Sequence, residues 1–257
     1  MRIFAISHAA THITKTFHEH GGSRFRAVDD ISLTVREGEC VGIVGESGSG
    51  KSTMARIVTR LILSDSGSVK LCGEELTTAK GAALRAAYRN MKMIFQEPRS
   101  SFDSRLTLGE RICEALKPVM ADKKARMEAA GRLLCSVSLN EDFLSFYPGQ
   151  VSGGECQRAA IARALAQKPK LLICDEATSA LDVSVQAQII ALLNEIRREQ
   201  QLSLLFISHD LALVSSFCDR LYVLYEGKVV EEGETAQVIQ NPRQPYTKKL
   251  IDSVLSV

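Results

Sequence analysis

Residues 45 to 53 read Gly-Glu-Ser-Gly-Ser-Gly-Lys-Ser-Thr and directly follow the apolar run Cys40-Val41-Gly42-Ile43-Val44. A short buried strand that empties into a glycine loop, with a lysine and two hydroxyl residues opening a helix, is a phosphate-binding P-loop. Gly45, Gly48 and Gly50 let backbone N–H groups curl toward one anion. Lys51 reaches the β- and γ-phosphates, and Ser52 can place its hydroxyl on Mg²⁺. A glycine turn that merely caps a helix would share the composition, but here a strand and a helix flank the loop on its two sides. The chain is therefore expected to handle a nucleoside triphosphate.

Bulk properties narrow the class. With 257 residues, 45% of them hydrophobic, the chain can bury the core of one large domain or of a core domain with an inserted subdomain. Its 32 basic and 30 acidic residues leave a net charge of only +2, no broad basic field for nucleic acid. Seven cysteines, odd in number and without a C-x-x-C pair, read as reduced thiols of a cytoplasmic protein rather than a disulfide or metal framework. His8, His12, His18 and His20 are irregularly spaced and are read as a solvated segment, not a metal site. The apolar start Ile3-Phe4-Ala5-Ile6 is too short for a signal peptide, and no stretch is long and apolar enough to span a bilayer.

Periodicity sketches the architecture. Residues 1 to 40 look like short strands and turns, with Ile31, Leu33 and Val35 alternating with polar residues as in a half-buried strand. Ser64 to Gly67 makes a turn before a strand over 68–71, which leaves a small antiparallel layer beside the nucleotide core. Met91 to Phe95 reads as a core strand ending at Gln96, and from Leu108 to Ser138 the pattern turns helical. Strands resume at Leu171 to Cys174 and Leu204 to Ser208, and Leu221 to Tyr225 with Lys228 to Glu231 make a hairpin about Glu226-Gly227. Strands alternating with helices predict a mainly parallel sheet covered on both faces. Ligands then bind at the carboxyl ends of the strands, where the P-loop, Gln96, Asp175 and His209 fall.

The run Leu171-Leu172-Ile173-Cys174-Asp175-Glu176 ends in adjacent carboxylates with separate tasks: Asp175 to hold Mg²⁺ directly or through water, Glu176 to polarise the water that attacks the γ-phosphorus. Ser152-Gly153-Gly154-Glu155 stands before the helical stretch from Cys156 to Ala166, so its N–H groups can bind a second phosphate face. With that string placed between the P-loop and the acidic strand, the chain resembles the ATPase subunits of ABC transporters over essentially its whole length. The family's signature reads Leu-Ser-Gly-Gly-Gln.

The resemblance assigns roles position by position. Gly45, Glu46, Ser47, Gly48, Ser49, Gly50, Lys51, Ser52 and Thr53 match the P-loop, Gln96 the Q-loop, and Val151 to Glu155 the signature, with Ser152, Gly153, Gly154 and Glu155 as its nucleotide-facing part. Leu171 to Glu176 match the acidic strand, Ser179-Ala180-Leu181-Asp182 the D-loop and His209 the switch histidine on the γ-phosphate; Phe17 falls where the family stacks an aromatic on adenine. It implies Glu176, His209, Lys51 and Gln96 as catalytic residues, Asp182 among the nucleotide contacts, and Ser52, Gln96 and Asp175 as Mg²⁺ ligands. Asp182-Val183-Ser184-Val185-Gln186-Ala187-Gln188, Phe206 to Leu211 and Asn241-Pro242-Arg243-Gln244-Pro245-Tyr246-Thr247 are similar to the dipeptide, oligopeptide and nickel importer branch. Longer members carry a cysteine-bearing tail; with the sequence ending at Val257, none is expected. Departures are Val151 for Leu, Glu155 for Gln and Cys156 in the signature, and Arg99 and Phe102-Asp103-Ser104 after the Q-loop. Signature Glu occurs in active relatives, and Arg99 to Arg105 is read as the stretch that encodes the transmembrane partner.

The resulting expectation is one α/β domain over residues 1–257: a P-loop NTPase (RecA-like) core with a mainly parallel sheet, a small antiparallel β layer, an inserted α-helical subdomain over about 97–160 and a family-specific helical end over 235–257. It would bind ATP and Mg²⁺, pair with a second ABC ATPase chain, a sister more often than a copy, and drive two transmembrane permease subunits from the cytoplasmic face of the membrane. An extracytoplasmic binding protein would deliver the cargo: a peptide, nickel or a metal chelate. Three rivals are weighed against it. An ABC ATPase acting on DNA or ribosomes usually has an inserted coiled coil or a second cassette. A switch GTPase needs an Asn-Lys-x-Asp motif that is absent. A nucleotide-binding partner with little turnover is opposed by Glu176 and His209.

Overall fold

The computed structural model describes residues 6–18, 24–179 and 181–255; His20 and Ala180 of the sequence reading lie outside them. Three strands are buried along their whole length: β3 (Cys40–Val44), β7 (Leu171–Asp175) and β8 (Ser203–Ile207). Complete burial requires cover on both faces, and successive side chains go to opposite sides of a strand. One face holds Cys40, Val44, Leu172, Cys174, Leu204 and Phe206 in a core shared with helices. The other holds Val41, Ile43, Leu171, Ile173, Leu205 and Ile207. Phe206 meets Phe217 edge to face at 5.4 Å, a contact worth about 1 kcal/mol beyond its burial.

The described six-stranded sheet runs β10-β9-β3-β8-β7-β6, where β9 is Arg220–Tyr225, β10 Lys228–Glu234 and β6 Met91–Ile94. Pairs β9/β3, β3/β8, β8/β7 and β7/β6 are parallel, and only the terminal hairpin β9/β10 is antiparallel. The turn of that hairpin is Glu226 (φ 45°) and Gly227 (φ 76°), the two left-handed residues a two-residue hairpin needs. The expected core strand β6 joins this sheet at the edge of its described strands, with Met91 and Ile94 buried. Lys92 and Met93 are half-buried, and Lys92 donates to Tyr88 O and Gln167 Oε1 there.

The second sheet is antiparallel, ordered β2-β1-β4-β5, with β1 Ile6–His18, β2 Arg24–Arg36, β4 Ser66–Leu71 and β5 Glu74–Glu75. Residues 6–18 form one long strand instead of several short ones. Its register slips near His12, whose φ of 53° accommodates the slip while its ring binds Asp30 at 2.8 Å. This layer, α1 (Lys51–Val58) and α2 (Gly81–Asn90) cover one face of the parallel sheet. The periodicity reading did not anticipate α2. It has no fully buried residue and leans on the core through half-buried Leu84, Ala87 and Tyr88, which share one face of the helix.

On the opposite face sits the helical block: α3 (Leu108–Leu116), α4 (Lys123–Ser136) and α5 (Gly153–Leu165). Thr107 with Glu110 closes a capping box at the start of α3, and Asp122 caps α4. Helices α6 (Val183–Gln200) and α7 (Leu211–Phe217) complete that face. The chain ends in α8 (Thr235–Gln240) and α9 (Pro245–Leu255). Among the described residues no helix is long and apolar enough to cross a membrane.

Candidate functional site

The carboxyl ends of β3, β7 and β8 converge on one cleft. The cleft, about 180 Å³, is lined by Phe25, Ala27, Ser47, Gly48, Gly50, Lys51, Ser52, Thr53 and Glu176. A hollow of about 830 Å³ lies between the helical block and α6, but no carboxylate or histidine lines it. Position and chemistry, not size, mark the smaller cleft.

The P-loop is wedged against the neighbouring strand. Gly45 has φ 153°, and a Cβ there would stand 2.2 Å from the backbone oxygen of Leu224 on β9, so the chain can leave β3 in this direction only with glycine. Ser49 O accepts from Gly227 N at 3.2 Å, tying the loop to the β9/β10 turn as well. Lys51 is 4% exposed. Its ammonium donates to Gly45 O at 2.7 Å and Glu46 O at 2.8 Å. Burial holds its pKa below the ordinary lysine value, opposed by the charges of Glu176, Asp175 and Glu46.

Two carboxylates leave β7 in different settings. Asp175, the last residue of the strand, is buried and accepts a hydrogen bond from the Ser52 hydroxyl at 3.0 Å, across 123 residues of sequence. Burial raises its pKa; the Ser52 bond opposes the rise and neighbouring Glu176 adds to it. A hydroxyl and a carboxylate this close are hard oxygen donors of the kind Mg²⁺ takes. Glu176 steps into the left-handed region, φ 49°, yet its N–H still bonds Ile207 O at 2.9 Å, while its carbonyl accepts from Ser179 N and Oγ. Such a conformation costs a non-glycine residue about 1–2 kcal/mol. It turns the side chain into the cleft, where Oε1 lies 3.5 Å from His209 Nδ1. Asp175 pairs with Ile207 at the ends of the two parallel strands, and Glu176 and His209 follow that pair by one and two residues, which brings them near each other.

Ser152 is the N-cap of α5 and forms a capping box with Glu155, the Glu155 carboxylate accepting from Ser152 N at 2.7 Å and the Ser152 hydroxyl from Glu155 N at 3.3 Å. A Cβ on Gly154 would lie 2.6 Å from Val185 Cγ1, so the small residue lets α5 rest against α6. None of Ser152, Gly153, Gly154 and Glu155 lines the P-loop cleft. Gln96 is exposed, two residues past Ile94 as Glu176 is two past its register partner Cys174. Asp182 is exposed at the start of α6 without a side-chain cap bond.

The family profile for ABC transporters matches residues 28–179, and that for the oligopeptide/dipeptide transporter C-terminal region matches residues 230–257. The oligopeptide transport ATP-binding protein OppF of Escherichia coli (strain K12) is 46% identical over 232 residues, spanning 89% of this chain and 69% of that protein. OppF of Bacillus subtilis (strain 168) is 43% identical, over 89% of this chain and 76% of its own. A dimeric ATP-binding cassette solved in a post-hydrolysis state with ADP and Pi superposes with a TM-score of 0.80 at 30% identity, covering 89% of this chain and 98% of that one.

The chain belongs to the ABC transporter ATPases.

The match gives this ABC ATPase its reaction, hydrolysis of ATP coupled to transport, and its fold. Folding also exposes what sequence reasoning overlooked. Phe17 does not line the cleft; it stands directly across β1/β2 from Phe25, which does. Cross-strand partners share a face, so both exposed rings stand on one side of the layer, with Lys15 Nζ 5.7 Å from the Phe17 centroid. Only the strand register could have disclosed Phe25.

Some of the departures after Gln96 also make contacts within the ABC ATPase. Arg99 donates to Val151 O at 2.6 Å, at the first residue of the signature. Phe102 is buried under Arg163, whose guanidinium carbon lies 4.2 Å from the ring centroid and whose nitrogens bond Ser101. Of this stretch Arg99, Ser100, Ser104 and Arg105 are exposed, with Arg105 forked onto Asp103.

Proposed function

We propose that this chain is the ATP-hydrolysing subunit of an importer for small peptides, acting as one of two ATPase chains beneath a pair of transmembrane permease subunits. The observation that carries the reading is the meeting of Lys51, the Ser52/Asp175 pair and the Glu176/His209 pair at the carboxyl ends of adjacent parallel strands. Peptide is favoured over nickel or a metal chelate because the C-terminal region matches an oligopeptide/dipeptide profile and the similar proteins above are named for oligopeptide transport.

In this reading the N–H groups of Gly45 to Thr53 and the Lys51 ammonium hold the β- and γ-phosphates, and Phe25 with Phe17 offers the base an aromatic face. Ser52, Asp175 and Gln96 would hold Mg²⁺, whose charge offsets that of the β- and γ-phosphates when it is bound. Glu176 takes a proton from the attacking water, and His209, beside it, donates to the γ-phosphate. One P-loop reaches the phosphates from one side only. The N-terminus of α5 in a partner chain, presenting Ser152, Gly153, Gly154 and Glu155, closes the other side and excludes water, with Asp182 near the same seam. Residues 97–160 then act as the helical subdomain against the permease, and 235–257 as the branch-specific end of the single domain. The chain works peripherally at the cytoplasmic face.

Glu176→Gln keeps the shape of the side chain and removes the base, so ATPase activity falls about 10²- to 10⁴-fold while ATP still binds. Tagged Glu176→Gln is purified with ATP from detergent-solubilised membranes of the native host and its companions are identified by mass spectrometry. Two multispanning proteins and a second ATPase support the importer. Recovery of soluble or nucleic-acid-bound partners alone sinks it.

A further inference from the structure

The C-terminal helix reaches the phosphate loop. Tyr246, in the first turn of α9, is half-buried, and its hydroxyl accepts a hydrogen bond from the backbone N–H of Glu46 at 3.0 Å, 200 residues away in sequence. Its ring lies 4.3 Å from that of Tyr225, at an interplanar angle of 38°. Tyr225 ends β9, the strand against which Gly45 is wedged. The start of α9 is held independently: the Glu231 carboxylate of β10 accepts from Arg243 N at 2.8 Å and Gln244 N at 3.1 Å.

The N–H that Tyr246 captures belongs to the same peptide group as Gly45 O, which accepts from Lys51 at 2.7 Å. In a trans peptide the C=O and the N–H point in opposite directions, and the unit turns as one plate. Tyr246 therefore holds one edge of the plate and Lys51 the other. Fixing the N–H outward keeps Gly45 O facing Lys51. With Gly45 O and Glu46 O taking two of the three ammonium donors, the third is left for the cleft that Lys51 lines, Ser49 Oγ at 3.5 Å being only a long contact.

We infer that Tyr246 is a positioning residue for nucleotide binding: its hydroxyl sets the plane of the Gly45–Glu46 peptide, which aims Lys51, and so couples the C-terminal helix to the P-loop. The contact joins the two regions matched by separate family profiles, Glu46 within 28–179 and Tyr246 within 230–257. By linkage the coupling runs both ways: whatever α9 contributes to nucleotide affinity, bound nucleotide returns to α9. The inference rests on the P-loop being the ATP site.

Tyr246→Phe removes the hydroxyl and keeps the ring on Tyr225. The dissociation constant for a fluorescent, non-hydrolysable ATP analogue should rise about five-fold, the worth of one ordinary hydrogen bond. KM should rise by a similar factor with kcat nearly unchanged, because the group acts on binding and not on the chemical step. Hydrogen exchange supplies a readout that a structural role would not move. In the parent the analogue should slow exchange across residues 245–255, and in Tyr246→Phe that response should vanish. Glu231→Ala, which frees the start of α9 without touching Tyr246 or the loop, should weaken binding in the same direction and carries the test if Tyr246→Phe melts markedly below the parent. Affinity within two-fold of the parent together with an intact exchange response overturns the inference. Lys51→Ala is the control: if it binds the analogue like the parent, the P-loop assignment fails instead.

Discussion

Two glycines of the same loop should respond very differently to one methyl group. At Gly45 a Cβ would lie 2.2 Å from Leu224 O and 2.8 Å from Ser49 Oγ, at φ 153°. The first of these is backbone of β9, held in register by pairing with both β3 and β10, and it cannot step aside as a side chain end would. Relief requires the loop and strand to part by about 1 Å, overpacking that typically costs about 1–3 kcal/mol, on top of a backbone conformation costing an L-residue about 1–3 kcal/mol. Gly45→Ala should therefore destabilise by about 4 kcal/mol. At Gly48 the φ is 81° but nothing lies within 4 Å of a Cβ, so Gly48→Ala bears only the conformational cost of about 1–2 kcal/mol. The difference of roughly 2.5 kcal/mol corresponds to about 5–10 °C in melting temperature for a chain of this size. Thermal unfolding followed by circular dichroism, without nucleotide, measures both variants against the parent. If Gly45→Ala melts at or above Gly48→Ala, the wedge between the loop and β9 is not a constraint and the account of why the chain turns there is wrong.

Asp175→Asn should separate stability from function. Burial raises the Asp175 pKa, so the folded state holds that proton more tightly than the unfolded chain does. The stability this contributes is present below the unfolded carboxylate pKa and is lost as pH rises through the folded one. Near neutrality the bare carboxylate is thus a burden. Asp175→Asn should melt higher than the parent at pH 7–8 without nucleotide, lose that advantage near pH 4, and lose the stabilisation given by ATP with Mg²⁺; a lower melting temperature at pH 7.5 refutes it. Phe25→Ala should weaken ATP binding about ten-fold, since one aromatic under a base is worth about 1–3 kcal/mol. Phe17→Ala should cost less, because Phe17 stands one strand further from the cleft. Equilibrium titration of both variants checks the order, and a larger loss at Phe17 would place the base on Phe17 rather than on Phe25.

Elements whose information is local were legible in the chain. The P-loop, the acidic strand and the N-cap serine of α5 each occupy a contiguous stretch, and strand burial shows as an unbroken apolar run. Two local features escaped. Helix α2 was passed over although Leu84, Ala87 and Tyr88 share one of its faces, and the core strand β6 gave no sign that among the described residues it pairs on one side only, with β7. For the residues after Gln96 the chain gave no hint of their contacts within the domain: only the fold shows Arg99 bonded to Val151 O and Phe102 packed under Arg163.

The sequence by itself determined that the chain binds a triphosphate, which carboxylates could serve it, and that a parallel sheet covered on both faces would carry them, because glycine geometry and side-chain period act within a few residues. Tertiary structure alone decided the pairs: Ser52 with Asp175, Glu176 with His209, Phe25 with the cleft, Tyr246 with Glu46. Each pair is brought together by strand order and register, or by helix docking. Those follow from burying both faces of one sheet at once, a condition satisfied by the whole chain and written in no single segment of it.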